Sequence, residues 1–242
     1  MNIVAVIPAR YASTRLPGKP LADILGKPMI WWVYQQVKKV KELSVVYVAT
    51  DDERIEKVCK SYGMDVIMTR DDCQNHIVRV YEVAQKVCAD YYICVNGDEP
   101  MIDVDSIKKL LPKKTRKEPF FCGARRKLSD PAEAIDFANI KLAMSDNDRC
   151  VYMSRIPIPY PKGTLFFNYW KYVGIECFNK SGLDFFASRP MGQLEKVEDI
   201  DHLRFIEGGI DVFFKEVQSD SLSVDTVKDL EKVRKMMRKK KD

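Results

Sequence analysis

The first hundred residues alternate between two hydrophobic periods. Ile3 to Ile7 is a short apolar run rich in β-branched residues and reads as a first strand. A loop punctuated by Pro8, Pro17, Gly18 and Pro20 follows, and Met29 to Val40 then takes up helical spacing. Val45 to Ala49 is again strand-like. It ends in Thr50-Asp51-Asp52, a capping signal for a helix running through Lys60. Asp65 to Met68, Ile77 to Val87 and Tyr91 to Val95 continue the series as strand, helix and strand. Uniformly apolar strands between amphipathic helices specify an α/β fold with a mostly parallel central sheet flanked by helices. In such sheets ligands bind beyond the carboxyl ends of the strands, so chemistry is expected in the loops after Ile7, Ala49, Met68 and Val95.

The second half is less regular. Phe120 to Arg126, Ile140 to Met144, Tyr172 to Phe178 and Asp211 to Val217 read as strands, and Leu194 to Ile206 and Asp225 to Met237 as helices. Lys113 to Glu118 is a polar connection, but no long linker or repeat divides the chain. The expectation is one α/β domain over residues 1–242 with a smaller inserted sheet.

Composition adds exclusions. With 242 residues, 46% hydrophobic and 31% charged, the chain is an ordinary globular protein, neither disordered nor fibrous. Its apolar runs, such as Pro28 to Val33, fall far short of the roughly 20 residues that span a bilayer. MNIVAVIPAR lacks a basic region before its apolar stretch and a small-residue cleavage site, so it reads as a strand and not as a secretion signal. A cytoplasmic location with no membrane contact is expected.

The net charge of +5 is misleading. Lys232, Arg234, Lys235, Arg238, Lys239, Lys240 and Lys241 carry seven of the positive charges, and +5 less these seven leaves a body at −2. Such a tail, over about 232–242, suits the negative end of a last helix, and no nucleic-acid partner is expected. The seven cysteines form no CxxC pair, which argues against a zinc knuckle or a thioredoxin-type motif and for a reducing compartment.

Two loops carry candidate chemistry. IPARYASTRLPGKPL, from Ile7 to Leu21, places Arg10, Arg15 and Lys19 at the end of the first strand, while Ala12 and Ser13 let the backbone approach a ligand. Cations joined by backbone N–H groups make a polyphosphate cradle, although the P-loop pattern GxxxxGK[ST] is absent. VNGDEP, at the end of the fourth strand, either projects Asp98 and Glu99 toward the same place as hard oxygen ligands for Mg²⁺ or is a turn with a helix-capping carboxylate. Ser223-Val224-Asp225-Thr226 starts the last helix, where Asp225 serves either as an N-cap or as a second metal ligand.

These segments, together with GKPMI, VATDD, VNGDEPMI, YMSRIPIPY, the LExxExxxxLR pattern from Leu194 to Arg204 and SVDTxxDLEKVR, resemble the CMP-Kdo synthetases, the 3-deoxy-manno-octulosonate cytidylyltransferases. The resemblance runs in order from residue 3 to about 237. It implies a Rossmann-like nucleotidyltransferase fold, a homodimer, and attack of an acceptor hydroxyl on the α-phosphorus of CTP with loss of pyrophosphate. Arg10, Arg15 and Lys19 would hold the triphosphate, with Arg15 also reaching the acceptor, and Asp98 and Asp225 would bind Mg²⁺. The product would be a CMP-activated sugar acid for surface glycan synthesis, in lipopolysaccharide or capsule.

The chain departs from the family pattern in two places. Where the family has HQSGTER, which helps hold the nucleotide, this chain has Cys73-Gln74-Asn75-His76-Ile77-Val78-Arg79. Gln74 and Arg79 are kept beside Asn75 as nucleotide contacts, but a glycine has become His76. At the acceptor positions the family's glutamine before GDEP is Asn96, its histidine and tyrosine on the later strand are Tyr172 and Glu176, and its Glu-Gln is Asp201-His202; Arg155 is retained. A polyhydroxylated acid is recognised by directed hydrogen bonds, so these changes imply an altered acceptor pocket. The rivals are a nucleotidyltransferase with another acceptor (a different sugar acid, a phosphate or a phosphonate) or another base, and a non-catalytic nucleotide-binding regulator. His76 reads as a cap of the third helix, a base-stacking ring or a solvent-facing side chain.

Overall fold

The computed structural model describes residues 1–13, 15–128, 130–163, 168–219 and 221–239, so Lys240 and Lys241 of the basic tail lie outside the described residues. The chain runs β1 (Ile3–Ala9), β2 (Asp23–Ile24), β3 (Lys27–Pro28), α1 (Met29–Lys38), β4 (Val45–Thr50), α2 (Glu53–Ser61), β5 (Val66–Met68), α3 (His76–Lys86), β6 (Tyr91–Val95) and α4 (Val104–Leu110). It continues with β7 (Phe121–Lys127), α5 (Pro131–Ile135), β8 (Lys141–Met144), β9 (Arg149–Ser154), β10 (Trp170–Asn179), α6 (Lys180–Ser188), α7 (Gln193–Glu198), α8 (Leu203–Glu207), β11 (Val212–Glu216) and α9 (Val227–Lys239).

The central sheet has the order β5-β4-β1-β6-β10-β7-β11-β9-β8. Its first four strands are parallel, as their uniformly apolar sequences require. Among the described residues only β9 and β10 run against the others. The smaller sheet is the β2–β3 hairpin. The strands of the second half extend the main sheet instead, and because β8 also pairs with the start of β10, strands β10, β7, β11, β9 and β8 close a ring.

Alternation along β1 separates two cores. Ile3, Ala5 and Ile7 pack with Ile30, Val33 and Val37 of α1 and Ile55 of α2, while Val4 and Val6 face Ile77, Val80 and Val83 of α3 and Leu183 and Phe186 of α6. A strand buried on both faces cannot slip by one residue without exchanging its two cores, so this packing holds the carboxyl ends of β1 and β6 level. Gly97 then brings the loops beyond them into contact, since a Cβ there would lie 2.7 Å from the carbonyl oxygen of Pro8.

Two local outcomes differ from the sequence pattern. The helix expected over Leu194 to Ile206 breaks into α7 and α8, because Asp199 ends α7 in the left-handed region at φ 53°. The last helix starts at Val227 and is capped by Thr226, which exchanges hydrogen bonds with Asp229: Thr226 N donates at 2.9 Å, and Asp229 N donates to the Thr226 hydroxyl at 3.3 Å. Asp225 is therefore not the cap.

Candidate active site

The loop after β1 is held by its own small contacts. Gly18 N donates to Tyr11 O at 3.0 Å, and the Arg54 guanidinium lies 3.3 Å from the centre of the Tyr11 ring. Gly18 sits at φ 67°, where a side chain would be strained and would also press on the Tyr11 ring. The loop thereby turns Lys19 inward. Its ammonium donates to Asp98 at 2.6 Å and to Asp225 at 3.2 Å, and Arg15 reaches Asp225 at 3.1 Å. Burial opposes the charge on Lys19, but the two carboxylates outweigh it and raise its pKa above the ordinary lysine value. Arg10 is exposed on the same loop, and Ser13 accepts a 3.4 Å hydrogen bond from Leu16 N.

Asp98 keeps one carboxylate oxygen, Oδ1, buried without a hydrogen-bond partner among the described residues. A hard cation would satisfy that oxygen, so Asp98 and Asp225 fit a Mg²⁺ site. Glu99 behaves differently from the sequence expectation. It lines the same cleft but is buried and accepts the Ser221 hydroxyl instead of standing free as a ligand, tying the loop before α9 to the loop after β6. Burial, with Asp98 beside it, pushes its pKa up to about 7.

These groups line one cleft of about 760 Å³, which also receives Ser13, Gln74, Asn75, Arg79, Asn96, Arg155, Tyr172, Asp201 and His202. Asn75 caps α3, accepting from Val78 N at 2.9 Å, and its buried Nδ2 has no hydrogen-bond partner among the described residues. Arg79 spends its guanidinium on Asp51, at 2.8 Å, and on Thr69, so it braces the ends of β4 and β5. Arg155 is likewise engaged, donating to the carbonyls of Glu198 (2.7 Å), Asp199 (2.6 Å) and Phe137 (3.2 Å). Asn96 packs on β10 where Gly174 leaves room; a Cβ at 174 would lie 2.7 Å from its Nδ2.

At the far end of the cleft, positions that depart from the family pattern meet. Glu176, fully buried on β10, accepts from His76 Nε2 at 2.9 Å, from His202 Nε2 at 2.6 Å and from the Tyr172 hydroxyl. Asp201 lies 3.5 Å from the other ring nitrogen of His76. Burial disfavours charge on His76, yet Glu176 and Asp201 hold its proton up to about pH 10. Burial would raise the Glu176 pKa, but the two histidines carry it well below the usual carboxylate range. His76 thus binds a carboxylate and neither caps the helix by its side chain nor faces open solvent.

The cytidylyltransferase family profile matches residues 4–217. The chain belongs to the cytidylyltransferase family. It is 40% identical over 239 residues to the 3-deoxy-manno-octulosonate cytidylyltransferase of Escherichia coli, covering 97% of this chain and 95% of that one. It is also 35% identical to the 8-amino-3,8-dideoxy-manno-octulosonate cytidylyltransferase of Shewanella baltica (strain OS195), over 96% of this chain and 97% of that one. The solved structure of CMP:2-keto-3-deoxy-manno-octonic acid synthetase complexed with CTP superposes with a TM-score of 0.93 at 38% identity, covering 99% of this chain and all of that one. The chain is accordingly a CTP-dependent nucleotidyltransferase of the CMP-Kdo synthetase type, as its motifs implied.

Sequence reasoning missed several groups in this cytidylyltransferase. Lys171 lines the cleft and donates to Asn139 at 2.7 Å, with burial and nearby Arg126 lowering its pKa. The available signal was a lysine, like Glu176, inside a mostly apolar strand, Trp170–Phe178. Ser221 and Asn139 sit in loops with no pattern to mark them. Among the described residues no helix is long and apolar enough to cross a membrane.

Proposed function

We propose that this cytidylyltransferase transfers CMP from CTP to Kdo or a closely related sugar acid, releasing pyrophosphate, and that Asp98 and Asp225 hold Mg²⁺ for that reaction. One observation supports the reading most directly: a single ammonium, that of Lys19, touches both carboxylates directly below the cation-bearing loop. Arg10, Arg15, Lys19 and the backbone at Ala12 and Ser13 bind the triphosphate, and the free Nδ2 of Asn75 is a donor for the nucleotide. When bound, Mg²⁺ supplies charge neutralisation at the reacting phosphates. The protein's share is to align the acceptor hydroxyl with the α-phosphorus and to hold cations around the leaving pyrophosphate, which is what such transfers require.

The acceptors named for the relatives are eight-carbon acids differing at one amino group, and a cleft of about 760 Å³ has room for nucleotide and acid together. The clustering of His76, Tyr172, Glu176 and His202 supports an acceptor pocket whose contacts differ from those of the family pattern. The seven free cysteines, six of them buried, fit a cytosolic enzyme in a reducing compartment whose product serves surface glycan synthesis. The whole chain acts as one domain. It pairs as a homodimer through apolar side chains left exposed at Ile135, Phe137, Ile156, Tyr160 and Val197.

Pyrophosphate release is the test, with CTP and Mg²⁺ across Kdo, its 8-amino analogue, other sugar acids and small phosphonates, and with UTP, ATP and GTP in place of CTP. Turnover with CTP and an eight-carbon acid is expected. Nucleotide binding without turnover on any acid would overturn the assignment and leave a regulator.

A further inference from the structure

The three residues gathered on Glu176 come from separate parts of the chain: His76 opens α3, Glu176 lies on β10, and His202 precedes α8. One ligand-type atom from each lies within 4.8 Å of the other two. They share no residue with the Asp98–Asp225 pair. From this geometry we propose that His76 Nε2, Glu176 and His202 Nε2 form a binding site for a divalent transition-metal ion of the Zn²⁺ or Co²⁺ class at the acceptor end of the cleft.

The donor set decides the class of ion. Two imidazoles and one carboxylate suit a borderline-soft cation, whereas Mg²⁺ takes oxygen donors and keeps its water. Ligands at about 2.0–2.2 Å in a tetrahedron stand about 3.4 Å apart. The contacts of 2.9 Å and 2.6 Å therefore need to open by less than about 1 Å to admit an ion, which takes the place of the proton that His76 otherwise shares with Glu176 and releases it to solvent. Outer contacts are in place for two of the three ligands, while Nδ1 of His202 is buried without a partner among the described residues. Asp201 stands 3.5 Å from His76 Nδ1, and the Tyr172 hydroxyl braces Glu176. His76 and His202 both line the cleft, so an ion would reach them from its interior, as in an open site and not a closed structural one. A second grouping, Asp72, Cys73 and Glu82, lacks this freedom, because Arg70 already takes both Glu82 oxygens.

The test needs neither CTP nor an acceptor, so its failure is separate from failure of the proposed reaction. Chelator-stripped wild-type protein is dialysed against Zn²⁺ or Co²⁺ in excess Mg²⁺ and assayed by elemental analysis, with visible spectroscopy for Co²⁺. The expected result is one tightly held ion per chain and the ligand-field absorption of a low-coordinate Co²⁺ site. Glu176→Gln and His202→Ala should lose the ion, while Cys73→Ser and Asp98→Asn keep it. Because the first two substitutions fall in a buried cluster, His76→Gln at the partly exposed rim is measured beside them, with circular dichroism to confirm folding. Absence of a bound ion in wild type, or retention of the ion by folded His76→Gln with loss in Asp98→Asn, would overturn the site.

Discussion

Lys19 reaches both Asp98 and Asp225, and this shared contact separates two kinds of substitution. With Lys19 holding phosphate as proposed, Lys19→Met should weaken CTP binding about 10- to 100-fold by titration calorimetry. With Asp98 as the proposed Mg²⁺ ligand, Asp98→Asn keeps the shape but removes the charge, so kcat should fall roughly 100-fold or more while CTP affinity moves less. Equal losses in binding and turnover for both variants would refute the division of roles. Glu82 offers a pH test away from the metal positions. Burial would raise its pKa, but hydrogen bonds from Arg70 N and the Arg70 side chain lower it below the ordinary glutamate value. A carboxylate depressed in the folded state stabilises above its unfolded pKa of about 4.5 and loses that contribution as pH falls through the folded value. The stability gap between wild type and Glu82→Gln, on the order of 1 kcal/mol, should be flat from pH 7 to about 5 and close below about 4.5 in urea titrations. Arg10, Arg15, Lys19 and Asp98 were legible because each follows a strand in a short polar motif. The engagement of Glu99 was not: its bond to Ser221 depends on a loop more than a hundred residues away.

The LExxExxxxLR pattern explains itself once α7 and α8 are seen side by side. Glu195 and Arg204 form a buried two-bond ion pair at 2.7 and 2.6 Å, closing the short turn that Asp199 opens. Glu198 takes the Ser154 hydroxyl at 2.7 Å and Arg155 N at 3.0 Å, and so fixes β9 to the same turn. The motif is thus a clamp that sets the position of Asp201 and His202, and contributes nothing by direct contact at the triphosphate end. Glu195→Ala strands a buried guanidinium and should cost about 3–5 kcal/mol in chemical denaturation. A loss below about 1 kcal/mol would show that the clamp is not closed in solution. Periodicity read this region as one helix because the apolar spacing continues through the break; the left-handed turn at Asp199 is held by tertiary contacts to Arg155, which no local pattern records.

Three of the exposed apolar side chains, Phe137, Ile156 and Val197, lie on segments that Arg155 draws together, since it binds the carbonyls of Phe137, Glu198 and Asp199. Phe137 and Val197 are 73% and 82% exposed, an arrangement that a second copy of the chain would cover. Analytical ultracentrifugation should show a dimer that Phe137→Asp with Val197→Asp converts to monomer; an unchanged sedimentation coefficient would place the interface elsewhere. The sequence by itself determined the parallel half of the sheet, the carboxyl-end loops that carry cations and carboxylates, and membership of the cytidylyltransferase family. Those features are written in periods of two and 3.6 and in contiguous motifs, where neighbouring residues suffice. Only the tertiary structure decided that Asp225 faces Lys19 while Thr226 caps the helix, that the later strands close a ring with β10, and that His76, Glu176 and His202 converge. His76 and Glu176 are 100 residues apart, and their meeting depends on the packing of α3 against β10's sheet, which no single segment encodes.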